Sequence, residues 1–194
     1  MSRRKPGNRS IKTFIHLCVE GQATEKEYFE ALNSEPRMRN KVTFKIRKVE
    51  PDPLQLVEEA KALAMGSGMD ETDQVWCVFD VEYPIRHGRL MEAVELARKA
   101  GINTAVSNPA FEVWLLFHTQ KVTKHMSSEA AKKMQRGNPP SSQRDFYSPL
   151  LEVAVSNARE MEKLHMQNAK RFPDNNPSSS VFKLIEAVEK ILVA

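Results

Sequence analysis

The stretch Phe14 to Phe29, FIHLCVEGQATEKEYF, constrains the fold more than any other part of the chain. It opens with an apolar run to Val19 that only His16 interrupts, and it then meets Glu20-Gly21. Thr24-Glu25-Lys26-Glu27 follows with the Thr-x-x-Glu spacing of a capping box, in which hydroxyl and carboxylate satisfy two unpaired N–H groups of a new helix. The stretch reads as strand, tight turn and helix. It leaves a carboxylate at the C-terminal end of a strand, the edge where open α/β sheets place their sites.

The same alternation continues. Ile11 to Val19 is the first strand, and Thr24 to about Ser34 is a helix with Tyr28, Phe29 and Leu32 on its apolar stripe. Val42 to Val49 alternates as a half-exposed strand should. Asp52-Pro53 supplies a capping residue and an N1 proline for a helix to about Met65. Gln74 to Phe79 is the continuous apolar run of a central parallel strand, and it ends on Asp80-Val81-Glu82. A helix from about Arg89 to Ala100 closes on Gly101, and Ile102 to Ser107 is a fourth strand. Asn108-Pro109 repeats the cap-plus-proline signal ahead of a helix with Phe111, Trp114, Leu115 and His118 on one face. Later come a Lys-rich helical piece from Ser128 to about Gln135 and a long helix from about Ser148 to Ala169. The terminal helix has Val181, Leu184, Ile185, Val188 and Leu192 on its apolar face, which packs on its own sheet or on a second copy as a homodimer. The order predicts an α/β fold: a mainly parallel sheet with helices on both faces and a C-terminal helical elaboration.

With 194 residues, this is one α/β domain with additions. We divide it into a basic disordered arm (1–10), an α/β core (11–118), a basic insertion (119–148) and C-terminal helices packed on the core (149–194). No apolar run approaches the roughly 20 residues of a membrane span, and no signal core follows the N-terminus, so a cytoplasmic protein is expected. Cys18 and Cys77 lie in predicted buried strands and read as small core residues. The net charge is +4, but the arm carries Arg3, Arg4, Lys5, Arg9 and Lys12 without an acid. The insertion carries Lys121, Lys124, Lys132, Lys133, Arg136 and Arg144 against Glu129 and Asp145. What remains is net acidic. Two basic segments on an acidic scaffold suit a polyanion partner, although a solvated lysine face would read the same way.

Two core strands end in acids, the first in Glu20 and the third in Asp80-Val81-Glu82. Parallel strands align their C-terminal ends, and residues i and i+2 of an extended segment point to one side. Asp80 and Glu82 are therefore expected to share a side, with Glu20 nearby if the strands are neighbours. Gathered carboxylates repel and call for a cation. Mg²⁺ or Mn²⁺ is the hard, oxygen-seeking choice, and it brings substrate phosphates with it.

Glu-Gly after the first strand and an acid-x-acid pair after the third resemble the Toprim domain of topoisomerases, primases and related nucleases. In that family the second motif is usually Asp-x-Asp; here it is Asp80-Val81-Glu82. More closely, CVEGQATEKEYF, VFDVE, SNPAFEVWLLFH and NNPSSSVFKLIEAV resemble the RloB-like proteins of prokaryotic defence loci, over about residues 11–192. The resemblance implies a Mg²⁺-dependent nuclease of abortive-infection type, with RNA, including tRNA, as favoured target. It also implies an ABC-type ATPase partner of the RloA kind. Glu20 would then be the general acid/base, and Asp80 and Glu82 would hold metal with it. Glu112 would complete the pocket, or would simply be an acid favoured by a helix N-terminus.

Arg86, His87 and Arg89 follow the acidic motif and are candidate phosphate contacts. Lys121, Lys124, Lys132, Lys133 and Arg136 are candidate backbone contacts. His16 reads as a satisfied core or edge histidine, His118 as structural, and Asn108 as a helix cap. Gly66-Ser67-Gly68 is not a P-loop. Two rivals to the nuclease remain: a non-catalytic regulatory subunit docked on the ATPase, and a nucleotide-transfer enzyme using the same acids.

Overall fold

A computed structural model describes residues 12–20, 23–49, 52–137 and 149–193. Five strands form one sheet: β1 (Thr13–Val19), β2 (Val42–Lys48), β3 (Gln74–Asp80), β4 (Asn103–Asn108) and the two-residue β5 (Ser178–Ser179). Their order is β2-β1-β3-β4-β5, with only β5 antiparallel. The helices are α1 (Ala23–Asn33), α2 (Pro53–Ala64), α3 (Leu90–Ala100), α4 (Glu112–Phe117), α5 (Ser128–Arg136), α6 (Leu151–Gln167) and α7 (Val181–Val193), with a 3₁₀ turn at Pro36–Met38. Among the described residues no helix is long and apolar enough to cross a membrane.

Both faces of the sheet are covered, so its central strands carry apolar residues at nearly every position. Ile15, Leu17 and Val19 of β1 join Trp76 and Val78 of β3 on one face, under α1, α4, α6 and α7. Cys18, Val75, Cys77 and Phe79 point the other way, against α2 and α3. Both cysteines are buried free thiols, and burial pushes their proton affinity up. The half-exposed pattern of β2 follows from its place at the edge, where Lys45, Arg47 and Lys48 meet water. Asp52 caps α2 as its sequence demands, its Oδ1 accepting from the N–H groups of Leu54 and Gln55 at 2.9 and 3.0 Å. Gly101 ends α3 in the left-handed region at φ 68°, where glycine carries no steric penalty. The apolar face of α7 is packed into its own chain: Val181, Leu184, Ile185 and Val188 are all buried.

Three expectations need correcting. Helix α1 starts at Ala23, so Thr24 sits inside the first turn and is not its cap. Asn108 does not cap α4. It is the last residue of β4, and its Nδ2 donates to the Pro173 carbonyl and to Asn175 Oδ1, tying the strand end to the loop before β5. Helix α4 is not amphipathic: all six of its residues are buried, because α1, α5 and α6 leave it no solvent face. The Glu20-Gly21 turn falls partly, and Pro51, the arm 1–10 and residues 138–148 wholly, outside the described residues.

Candidate active site

Strands β1, β3 and β4 are neighbours, and their C-terminal ends bring the acids together. Glu20 follows β1, Asp80 is the last residue of β3, and Glu112 opens α4 just beyond β4. Glu20, Asp80 and Glu112 are 8%, 5% and 8% exposed, while Glu82 lies at the rim. A fourth buried acid joins them: Glu25, in the first turn of α1, only 2% exposed. The sequence carried a signal for it. Glu25 lies three, four and seven residues before Tyr28, Phe29 and Leu32, so it occupies the buried stripe of its helix.

Glu82 reaches the cluster by a route other than strand alternation. The strand ends at Asp80, and Glu82 adopts φ 60°, a conformation that side-chain-bearing residues rarely hold. Backbone hydrogen bonds fix it there: Val81 N–H donates to Ser107 O at 2.9 Å and Glu82 N–H to Pro109 O at 2.8 Å.

The electrostatics are those of crowded, desolvated carboxylates. Burial first, then Glu25, Glu82 and Asp52, push Glu20 up to about 8, against one backbone hydrogen bond at Asp80. Burial likewise lifts Glu25 to about 7, with Glu112 and Glu82 adding to it and Lys132 opposing. Asp80 is raised well above the usual carboxylate range by burial and by the four glutamates around it. Burial also raises Glu112. Among the described residues Glu20 Oε1, Glu25 Oε2 and Asp80 Oδ1 are buried with no hydrogen-bond partner. An unmet buried carboxylate oxygen is costly, and three in one cluster call for a proton or a cation.

Two of the predicted phosphate contacts face this cluster. His87 Nε2 lies 3.5 Å from Glu20 Oε2, and Lys132 Nζ lies 3.8 Å from Glu82 Oε1. Arg136 is close enough to influence Glu112. The remaining predicted contacts stand elsewhere or face acids of their own. Arg86 pairs with Asp174, Arg89 with Glu92 and Lys121 with Glu160, while Lys124 and Lys133 are exposed. His118 is structural: its Nδ1 is 3.0 Å from Trp114 O, its Nε2 is 3.4 Å from Tyr28 Oη, and burial lowers it to about 4. His16 is buried but not satisfied, since its Nε2 has no partner among the described residues.

The family model for RloB-like protein matches residues 15–188, nearly the whole chain. The chain belongs to the RloB-like family. Comparison with curated proteins and with solved structures returns no match in either case. In this RloB-like protein the matched span contains all five acids of the cluster, together with His87 and Lys132. As the side chains stand, no group of three or more His, Cys, Asp or Glu among the described residues is arranged to hold a metal ion. The donor set nonetheless fits a hard divalent cation in its chemistry. It is all oxygen and crowded with like charge, and three of its buried oxygens are unpartnered.

Proposed function

We propose that the cluster is the active site of a Mg²⁺- or Mn²⁺-dependent, Toprim-like nuclease that cleaves phosphodiester bonds, RNA and tRNA before DNA, in anti-phage abortive infection. The observation that carries this reading is the convergence of carboxylates from three neighbouring strand ends and the first turn of α1, three of whose buried oxygens lack partners. Glu20, Asp80 and Glu82, with Glu112 and Glu25 beside them, would hold the cation. When bound, a divalent cation supplies Lewis-acid stabilisation of the charge on a phosphate.

The chain's own groups have separate work. Burial favours the protonated form of Glu20 while no cation is bound, which suits a general acid/base, and His87 Nε2 lies 3.5 Å from its Oε2. Lys132 offsets negative charge at the rim, where a phosphate would arrive. An ABC-type ATPase of the RloA kind is the proposed partner, on the strength of the RloB-like resemblance. The rival reading, a non-catalytic docking subunit, gives no use to Glu25 and Asp80, which are buried too deeply to meet a partner's surface.

The test is cleavage of a mixed tRNA pool and of duplex DNA by the purified chain, alone and with its ATPase, in Mg²⁺, Mn²⁺ or EDTA. Metal-dependent cutting that disappears in Glu20→Gln is expected. Equal cutting by a pure Glu20→Gln preparation would refute the assignment.

A further inference from the structure

We propose that the rim of the carboxylate cluster seats an unpaired nucleotide, with its base against Tyr83 and Ile85, so that the substrate is single-stranded or looped nucleic acid and not continuous duplex. This rests on the nuclease reading and narrows its substrate class. The loop after β3 carries Glu82 into the cluster and His87 onto Glu20. Between them the same loop presents Tyr83, 37% exposed, and Ile85, 84% exposed. A single exposed apolar residue needs no explanation. Two on the short loop that also forms the wall of a buried acidic site are a different matter.

Tyr83 is held in place and not loosely displayed. Its N–H donates to Ser128 Oγ at 3.0 Å, and its carbonyl accepts from Ser128 N–H at 3.0 Å. Its ring meets the His125 ring edge-on, with centroids 4.6 Å apart and planes at 88°. The backbone is thus clamped to the start of α5 while the ring stays partly in water. A rigid aromatic presented in this way binds with little ordering cost. Cations border the loop: Lys132 on α5 reaches Glu82, Arg86 and Arg89 are exposed although paired with Asp174 and Glu92, and exposed Lys124 precedes His125 in the chain. An aromatic and an aliphatic surface for a base, with cations beside them for a phosphate, is the chemistry of single-strand recognition. The bases of a duplex are already stacked on one another and offer no free face to such a ring.

The test is fluorescence anisotropy with the full-length chain in Ca²⁺, using labelled probes checked for intactness after each titration. The probes are a single-stranded RNA of about 12 nucleotides, within the range one site covers, its DNA counterpart, and the RNA duplex of the same sequence. The single strands are expected to bind at least about tenfold more tightly than the duplex. Tyr83→Ala should lose about tenfold on the single strands, the scale of one base–aromatic stack, with no loss on the duplex. Tyr83→Phe should keep the affinity, and all variants should melt as the wild type does. Equal binding of duplex and single strand, no binding of any probe, or a Tyr83→Ala chain with unchanged affinity would each overturn the proposal. Binding is read without cleavage, so the two readings fail separately. Absence of metal-dependent cutting leaves a single-strand preference intact, and duplex cleavage indifferent to Tyr83 leaves the nuclease intact. RNA against DNA reports the 2′-hydroxyl.

Discussion

Lys132 Nζ stands 3.8 Å from Glu82 Oε1, so a lysine of the basic segment serves the acidic cluster. By charge count that segment is a clamp for a polyanion. In the fold, α5 is docked by Ser128 on Tyr83 and by buried Ala131, and this carries Lys132 to the site. Its charge also opposes the rise in proton affinity of Glu25 and Glu112. Both partners are part-exposed, so the pair is screened by solvent and its worth is modest.

Lys132→Met should therefore destabilise the metal-free chain by about 1 kcal/mol or less. Saturating Mg²⁺ should recover most of that loss, because the cation takes over the neutralising role. Thermal melts with and without Mg²⁺ check this, and an equal loss under both conditions would argue against a shared electrostatic role.

Glu25→Gln isolates the acid that motif reading passed over. The variant should fold at least as stably as the wild type without metal, since it replaces a buried carboxylate that has one unpartnered oxygen with a neutral group of the same shape. Cleavage should fall by about a hundredfold or more if Glu25 supports the reaction. Parallel melting curves and rate measurements decide, and wild-type cleavage would remove Glu25 from the site.

Stability should depend on pH in a defined direction. Glu20 and Glu25 are raised from 4.5 to about 8 and about 7 in the folded chain. Between pH 4.5 and about 8 the folded chain therefore binds protons that the unfolded chain has lost. The contribution is fully present below the unfolded value and is lost as pH rises through the folded ones, on the order of a few kcal/mol. Metal-free melting temperature should fall from about pH 6 to about pH 8.5. The shift produced by Mg²⁺ should grow over the same range, because the ion competes with protons. A rising metal-free profile would contradict the desolvated cluster.

Asp52→Ala removes the double acceptor at the start of α2 and should cost about 1 kcal/mol. Denaturant unfolding measures it.

What was legible in the sequence was what local pattern determines. The apolar runs of β1 and β3, the Asp52-Pro53 cap and the closing Gly101 state their roles within a few residues. The acids Glu20 and Asp80 were legible because they end those runs. Asn108-Pro109 misled because the local cap signal is the same whether the asparagine starts a helix or ties a strand end to a distant loop. Here the distant partners Pro173 and Asn175 win. The buried character of α4 also depends on helices far along the chain. Glu25 was hidden by a plausible surface role, the first turn of a capped helix, although its place on the apolar stripe marked it. The left-handed turn at Glu82 is set by hydrogen bonds to Ser107 and Pro109, which no spacing rule encodes.

The most direct test of the claim that the five acids form one cation site is to count bound Mn²⁺ by electron paramagnetic resonance, in the wild type and in Asp80→Asn. The account predicts saturable Mn²⁺ binding by the folded wild-type chain, displaced by Mg²⁺ and weakened at least about tenfold in Asp80→Asn, since losing even a residue that supports a metal ligand costs about 10–100-fold. Wild-type Mn²⁺ affinity in a folded Asp80→Asn chain, or no saturable binding by the wild type, would contradict it.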